Sequence, residues 1–216
     1  ERQRIEHCLG SLESVLASCT FVGVVRRVWS GSEFGHGDRA DRGLDGEQTR
    51  VEPLEVDDHR GVEQPLCSSL VSHASTVTGW DGTDAKWAET MACVRDMWAP
   101  FDVAITDEDP GSTPHVEVFV GGSPSSIGFG GNIGGVAPMA LDCSVVERSV
   151  VFVFPKNLGN RAQSVCEVVG QEVGHSYGLD HELEPSDPMT YPSYNGARTF
   201  RDKTASCGES TARPCG

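Results

Sequence analysis

Residues 171 to 191, QEVGHSYGLDHELEPSDPMTY, hold the side chains whose types and spacing could do chemistry together. Gln171 and His175 stand four apart and Glu172 and His175 three apart, so on a helix the three share one face, with a rise of about 6 Å between 171 and 175. Gly178 can adopt the left-handed conformation that ends a helix, and the turn it makes would bring His181 back to the same point. Two donors from a helix and one from a turn make up the three protein ligands of a catalytic zinc site. Such a site keeps a fourth position for water and lowers the pKa of that water to about 7. A glutamate beside the first ligand, here Glu172, can then take the water's proton and pass it to a leaving amine.

Gln171 is the unusual donor. Its amide oxygen is neutral and harder than an imidazole nitrogen, so it suits zinc less well than histidine does. Three arrangements follow: the amide oxygen completes a weakened site, another group or water replaces it, or no metal binds. The first is the favoured expectation, because the base and both histidines are present. Zinc is the expected ion, with copper(II) the alternative that also accepts two histidines and oxygen donors. His7, His36, His59, His73 and His115 have no partner at ligand spacing.

A long helix has to carry the first part of this set. NRAQSVCEVVGQEVGHSYG, 160 to 178, reads as that helix, opened by Asn160 and closed by Gly178. RSVVFVFP, 148 to 155, precedes it as an apolar, buried strand. Further upstream, TDAKWAETMACVRDMW sets Trp87, Met91, Val94 and Trp98 on one stripe of an amphipathic helix capped by Thr83. That stripe is core. FDVAITD, 101 to 107, and HVEVFVGG, 115 to 122, alternate as strands, and SSLVSHASTV is read as another. IGFGGNIGGVAPMALD, 127 to 142, lacks GKS or GKT, and Ile133 occupies the last glycine position of a GxGxxG begun at Gly128. It reads as a loop leading to an edge strand, which beside a cleft can pair with an extended peptide.

Taken together, Glu172, His175, Gly178 and His181 match the HExxHxxGxxH signature of the metzincin metalloproteases at every position except the first. DPMTY resembles the Met-turn of that clan, with Met189 eight residues after His181, and some gametolysin-like members carry glutamine as first ligand. Tyr191 resembles the tyrosine that astacins and serralysins place near the metal. The resemblance implies that Tyr191 binds the metal or stabilises the tetrahedral oxyanion, and that Met189 lies beneath the site. It also implies an α/β (α+β) fold: a twisted mixed sheet, a backing helix, an active-site helix and a small C-terminal lobe. The motifs span about twenty residues of the chain, and the order of elements from about 68 to 200 fits them.

Composition limits the partners. With 17 basic and 32 acidic side chains the formal charge is −15, which argues against nucleic acid and anionic membranes, since both call for a positive face. No apolar run approaches the roughly 20 residues of a membrane span. The acidic run 106 to 112 lacks the spacing of a calcium loop and reads as solvated, so Ca²⁺ is the least favoured cofactor. Eight cysteines without a CxxC pair suggest up to four disulfides and an exported, extracellular protein. Cys207–Cys215 and Cys143–Cys166 are the pairs suggested by position. A free Cys67 acting as a metal-blocking switch is disfavoured, because eight cysteines pair without remainder.

The expected organisation is an N-terminal arm or pro-segment over 1–65, within which TFVGVVRRVW has strand composition, followed by a catalytic domain over 66–216. The expected function is that of a secreted, monomeric, metal-dependent endopeptidase acting on protein or peptide substrates. The alternatives are a catalytically silent protein that holds peptides in the same cleft and a metal-dependent hydrolase of another bond.

Overall fold

The structure is a computed structural model that describes residues 21–27, 49–51, 68–71, 75–108, 110 and 113–215. The amphipathic helix expected after Thr83 and the helix expected over 160–178 are both present. Helix α1 runs Asp84–Trp98, and Thr83 caps it by accepting a hydrogen bond from Lys86 N at 3.2 Å. Met91, Val94 and Trp98 of the expected stripe are buried, and Trp87 is half-buried. Helix α2 runs Ala162–Ser176.

The strands are β1 (Phe21–Arg27), β2 (Thr49–Val51), β3 (Ser75–Val77), β4 (Val103–Thr106), β5 (His115–Val120), β6 (Gly135–Val136) and β7 (Val150–Val153). Five of them form one mixed sheet in the order β4-β1-β5-β7-β6. The first four in that order are parallel to one another, and β6 closes one edge antiparallel to β7, pairing Gly135 with Val153 and Val136 with Phe152. A separate antiparallel pair joins β2 to β3. Strand β1 comes from the expected arm and lies between β4 and β5, so the sheet draws on both sides of position 65. Of the described residues of SSLVSHASTV, Ser75–Val77 are strand, while 68–71 form a turn in which Val71 N donates to Ser68 O at 3.2 Å.

Both faces of the sheet are covered, which explains the near-continuous apolar runs of β5 and β7. Val116, Val118, Val120, Val151 and Val153 pack with Val94, Met97 and Trp98 of α1 and with Val165, Val169 and Val173 of α2. The alternate positions Phe119, Val150 and Phe152 pack on the other face with Val71, Val77 and Ile127. Phe119 and Phe152 stack across neighbouring strands with ring centroids 5.7 Å apart.

A disulfide between Cys93 and Cys166 ties α1 to α2. The expected Cys143–Cys166 pair is therefore corrected: packing the two helices side by side brings Cys93, not Cys143, to Cys166. Cys143 is itself disulfide-bonded. The expected Cys207–Cys215 bridge is present. Disulfides of this kind belong to an oxidising compartment, and among the described residues no helix is long and apolar enough to cross a membrane. Cys67, His7, His36, His59 and His73 lie outside the described residues.

Candidate metal centre

Helix α2 brings Gln171, Glu172 and His175 to the site, and all three are buried. Its start differs from the sequence reading. Arg161 is the capping position and makes no side-chain cap, while Asn160 has a positive φ of 53° and uses its Oδ1 to accept from Trp80 Nε1 at 3.0 Å. A distant indole thus takes the carbonyl that a local cap would have used.

The helix ends as the sequence predicts. Gly178 has φ 85°, its N–H donates to His175 O at 2.9 Å, and Leu179 N donates to Gly174 O at 3.0 Å. These are the paired bonds of a Schellman turn. A Cβ at Gly178 would overlap the carbonyl of Cys143. The turn directs the chain back so that His181 meets His175, with Nε2 to Nε2 at 3.0 Å and rings at an edge-on 77°.

The outer nitrogens fix the tautomers. His175 Nδ1 lies 2.8 Å from Leu179 O, a carbonyl that can only accept, so Nδ1 carries the hydrogen. His181 Nδ1 lies 3.3 Å from Glu209 Oε1, again an acceptor. Burial and the neighbouring His181 push the His175 imidazole down to about 4, so it is neutral at physiological pH. With both Nδ1 atoms carrying hydrogen, the two Nε2 atoms face each other at 3.0 Å, a contact that either a proton on one of them or a cation held by both would satisfy. Gln171 Nε2 is buried without a hydrogen-bond partner, and turning the amide over would put Oε1 in its place. Gln171 and His175 from one face of the helix, with His181 brought back by the turn, are donors of the kind that could hold a divalent ion such as zinc or copper. Among the described residues no three His, Cys, Asp or Glu side chains converge as a ligand set.

Glu172 is pushed up to about 8 by burial. It packs against the sheet edge: a Cβ on Gly135 of β6 would come 2.7 Å from Glu172 Cγ. Glycine there leaves room for the carboxylate beside the strand. Tyr191 is exposed, its ring centroid 4.4 Å from that of His181. Its hydroxyl is held above the usual range by burial, then by the charges of Glu172 and Glu209, which places all three in one electrostatic neighbourhood.

Met189 is buried under α2, where a Cβ on Gly174 would come 2.5 Å from its Sδ. Asp187 shapes this turn, its Oδ1 accepting from Met189 N at 2.8 Å and its Oδ2 from Arg201 N at 2.7 Å, while Glu182 N donates to Met189 O at 2.8 Å. Arg198 anchors the same segment to α2 through Glu167, Nη1 to Oε2 at 3.0 Å.

His115 is elsewhere, at the start of β5, with Nε2 3.0 Å from Glu117 Oε2. Asp107, in the acidic run, pairs with Arg95 at 3.0 Å and accepts from Trp87 Nε1 at 3.2 Å. Sequence reasoning missed Glu209, Gly135 and Gly174. Gly174 alone left a signal, since glycine inside a helix costs about 1 kcal/mol and marks a close approach.

No family model, no curated protein and no solved structure matches this chain.

Proposed function

We propose that this chain is a secreted metal-dependent endopeptidase of metzincin type, with Gln171, His175 and His181 as metal ligands and Glu172 as general base. The mixed sheet with one antiparallel edge, the two helices and the irregular C-terminal lobe support that fold assignment. One observation carries the functional reading: a buried imidazole, His175, and a half-buried one, His181, whose Nε2 atoms face each other at 3.0 Å while both Nδ1 atoms are held by acceptors.

A divalent ion held there would supply Lewis acidity, acidifying water, polarising the scissile carbonyl and drawing the proton off Glu172. The chain's own residues do the rest. An extended peptide pairing with β6 at the end of the sheet lays its backbone beside Glu172, because Glu172 packs closely against Gly135 of that strand. Glu172 accepts a proton from the attacking water as the C–O bond forms, then delivers it to the leaving amine as the C–N bond breaks. The exposed Tyr191 hydroxyl, above His181, donates a hydrogen bond to the developing oxyanion.

The test is metal content and peptide hydrolysis on protein purified without chelator. Stoichiometric zinc or copper is expected, with cleavage of casein that falls by about 10²–10⁴-fold in Glu172→Ala. Absence of any stoichiometric transition metal would sink the reading. Metal without cleavage of any peptide would turn it into a peptide-holding protein.

A further inference from the structure

His181 is gripped at three atoms. Its backbone N–H donates to Asp180 Oδ1 at 2.7 Å, its carbonyl accepts from Gly208 N at 2.9 Å, and its Nδ1 faces Glu209 Oε1 at 3.3 Å. Gly208 and Glu209 belong to the nine-residue loop that the Cys207–Cys215 disulfide closes. Arg213, from the same loop, fixes both carboxylates. Its Nη1 and Nη2 donate to Asp180 Oδ2 and Oδ1 at 2.7 Å each, and Nη2 also donates to Glu209 Oε1 at 2.8 Å. Arg213 N donates to Cys207 O at 2.8 Å, which folds the loop back on itself.

His175 has a neutral carbonyl behind its Nδ1, whereas His181 has a carboxylate. A carboxylate behind a ligating imidazole fixes its tautomer and makes the other nitrogen a stronger donor. The Arg213 guanidinium keeps that side chain a carboxylate, its Nε 3.2 and 3.3 Å from the two Glu209 oxygens and its Nη2 2.8 Å from Oε1. The ligand set itself is neutral, two imidazoles and an amide, and the amide is a weak donor for zinc.

We propose that Glu209, clamped by Arg213 in the Cys207–Cys215 loop, is the positioning residue that orients and strengthens His181 as a metal ligand, offsetting the weak donor at Gln171. This rests on the metal-site reading above. The C-terminal loop thereby becomes part of the metal centre, although none of its residues is a ligand.

The experiment is a Zn²⁺ competition titration against a chromogenic chelator on the full chain, for the native protein, Glu209→Gln, Glu209→Asp and His175→Ala. Native protein is expected to bind one Zn²⁺, and His175→Ala to lose it. Glu209→Gln is expected to bind about 10–100-fold more weakly, with Glu209→Asp recovering part of the loss. Native binding with an unchanged Glu209→Gln overturns the role of Glu209 alone. Absence of native binding, or binding untouched by His175→Ala, overturns the metal site and this proposal with it. Should Glu209→Gln not fold, the native protein decides: long-range ¹H–¹⁵N spectra of the Zn²⁺-loaded chain should show the His181 proton on Nδ1, and a proton on Nε2 overturns the proposal.

Discussion

Gly174 and Met189 occupy one another's space: a Cβ on the glycine would stand 2.5 Å from the methionine sulfur. Helix α2 therefore rests directly on the methionine-containing turn, and its bare backbone at 174 sets the depth at which Glu172 and His175 sit.

Gly174→Ala should push α2 off that support. Overpacking costs about 1–3 kcal/mol, and the gain in helix propensity returns about 1 kcal/mol. In a Met189→Ala background the added methyl meets a cavity, so Gly174→Ala should become neutral or stabilising there. Denaturant unfolding of the two single variants and the double variant measures the coupling. Additive effects would mean that the two residues do not share this contact.

Gln171→His should raise Zn²⁺ affinity by at least about 10-fold, because imidazole replaces an amide at the same helical position. Competition with a chelator reads the change. Unaltered affinity would place residue 171 outside the ligand set.

Glu182 gives the metal-free protein a pH dependence. Burial first, then Asp187 and Glu184, push its carboxyl up from 4.5 to about 8. A carboxyl with a higher pKa in the folded chain holds its proton more tightly there. Its contribution to stability is therefore complete below pH 4.5 and is lost as pH rises towards 8. Glu182→Gln should remove this loss and stabilise the chain at pH 8 by about 2 kcal/mol. Thermal melts from pH 4.5 to 8.5 check it, and parallel slopes for the two proteins would rule it out.

Opening the C-terminal loop separates covalent from side-chain control of His181. Cys207→Ser with Cys215→Ser should cost about 2.5 kcal/mol by loop-closure entropy. If Glu209 acts through the loop, Zn²⁺ should also bind more weakly at a temperature where the variant is still folded. A pure stability loss with native affinity would show that Arg213 holds Glu209 without the bridge.

The local parts of the site were legible and the distant ones were not. The 171, 172, 175 and 178 spacing lies within one helix and one turn, where periodicity and glycine conformation decide geometry. Asn160 was misread because a helix-start rule sees four residues, whereas the indole that claims its side chain lies 80 positions away. Cys166 was misassigned for a similar reason, its partner being set by how α1 packs on α2. Strand β1 shows β composition but no sign of the parallel neighbours that make it part of the sheet. Glu209 and Arg213 reach back 28 and 33 residues to their partners, and no spacing rule covers such a return.

The Cys93–Cys166 bridge encloses every strand from β4 to β7 within one covalent ring. A protease nick anywhere in the loops of that ring, such as the stretch around the exposed Leu141, leaves both halves joined. After a single cut the two helices thus stay tethered, and the chain separates into pieces only where thiols are abundant.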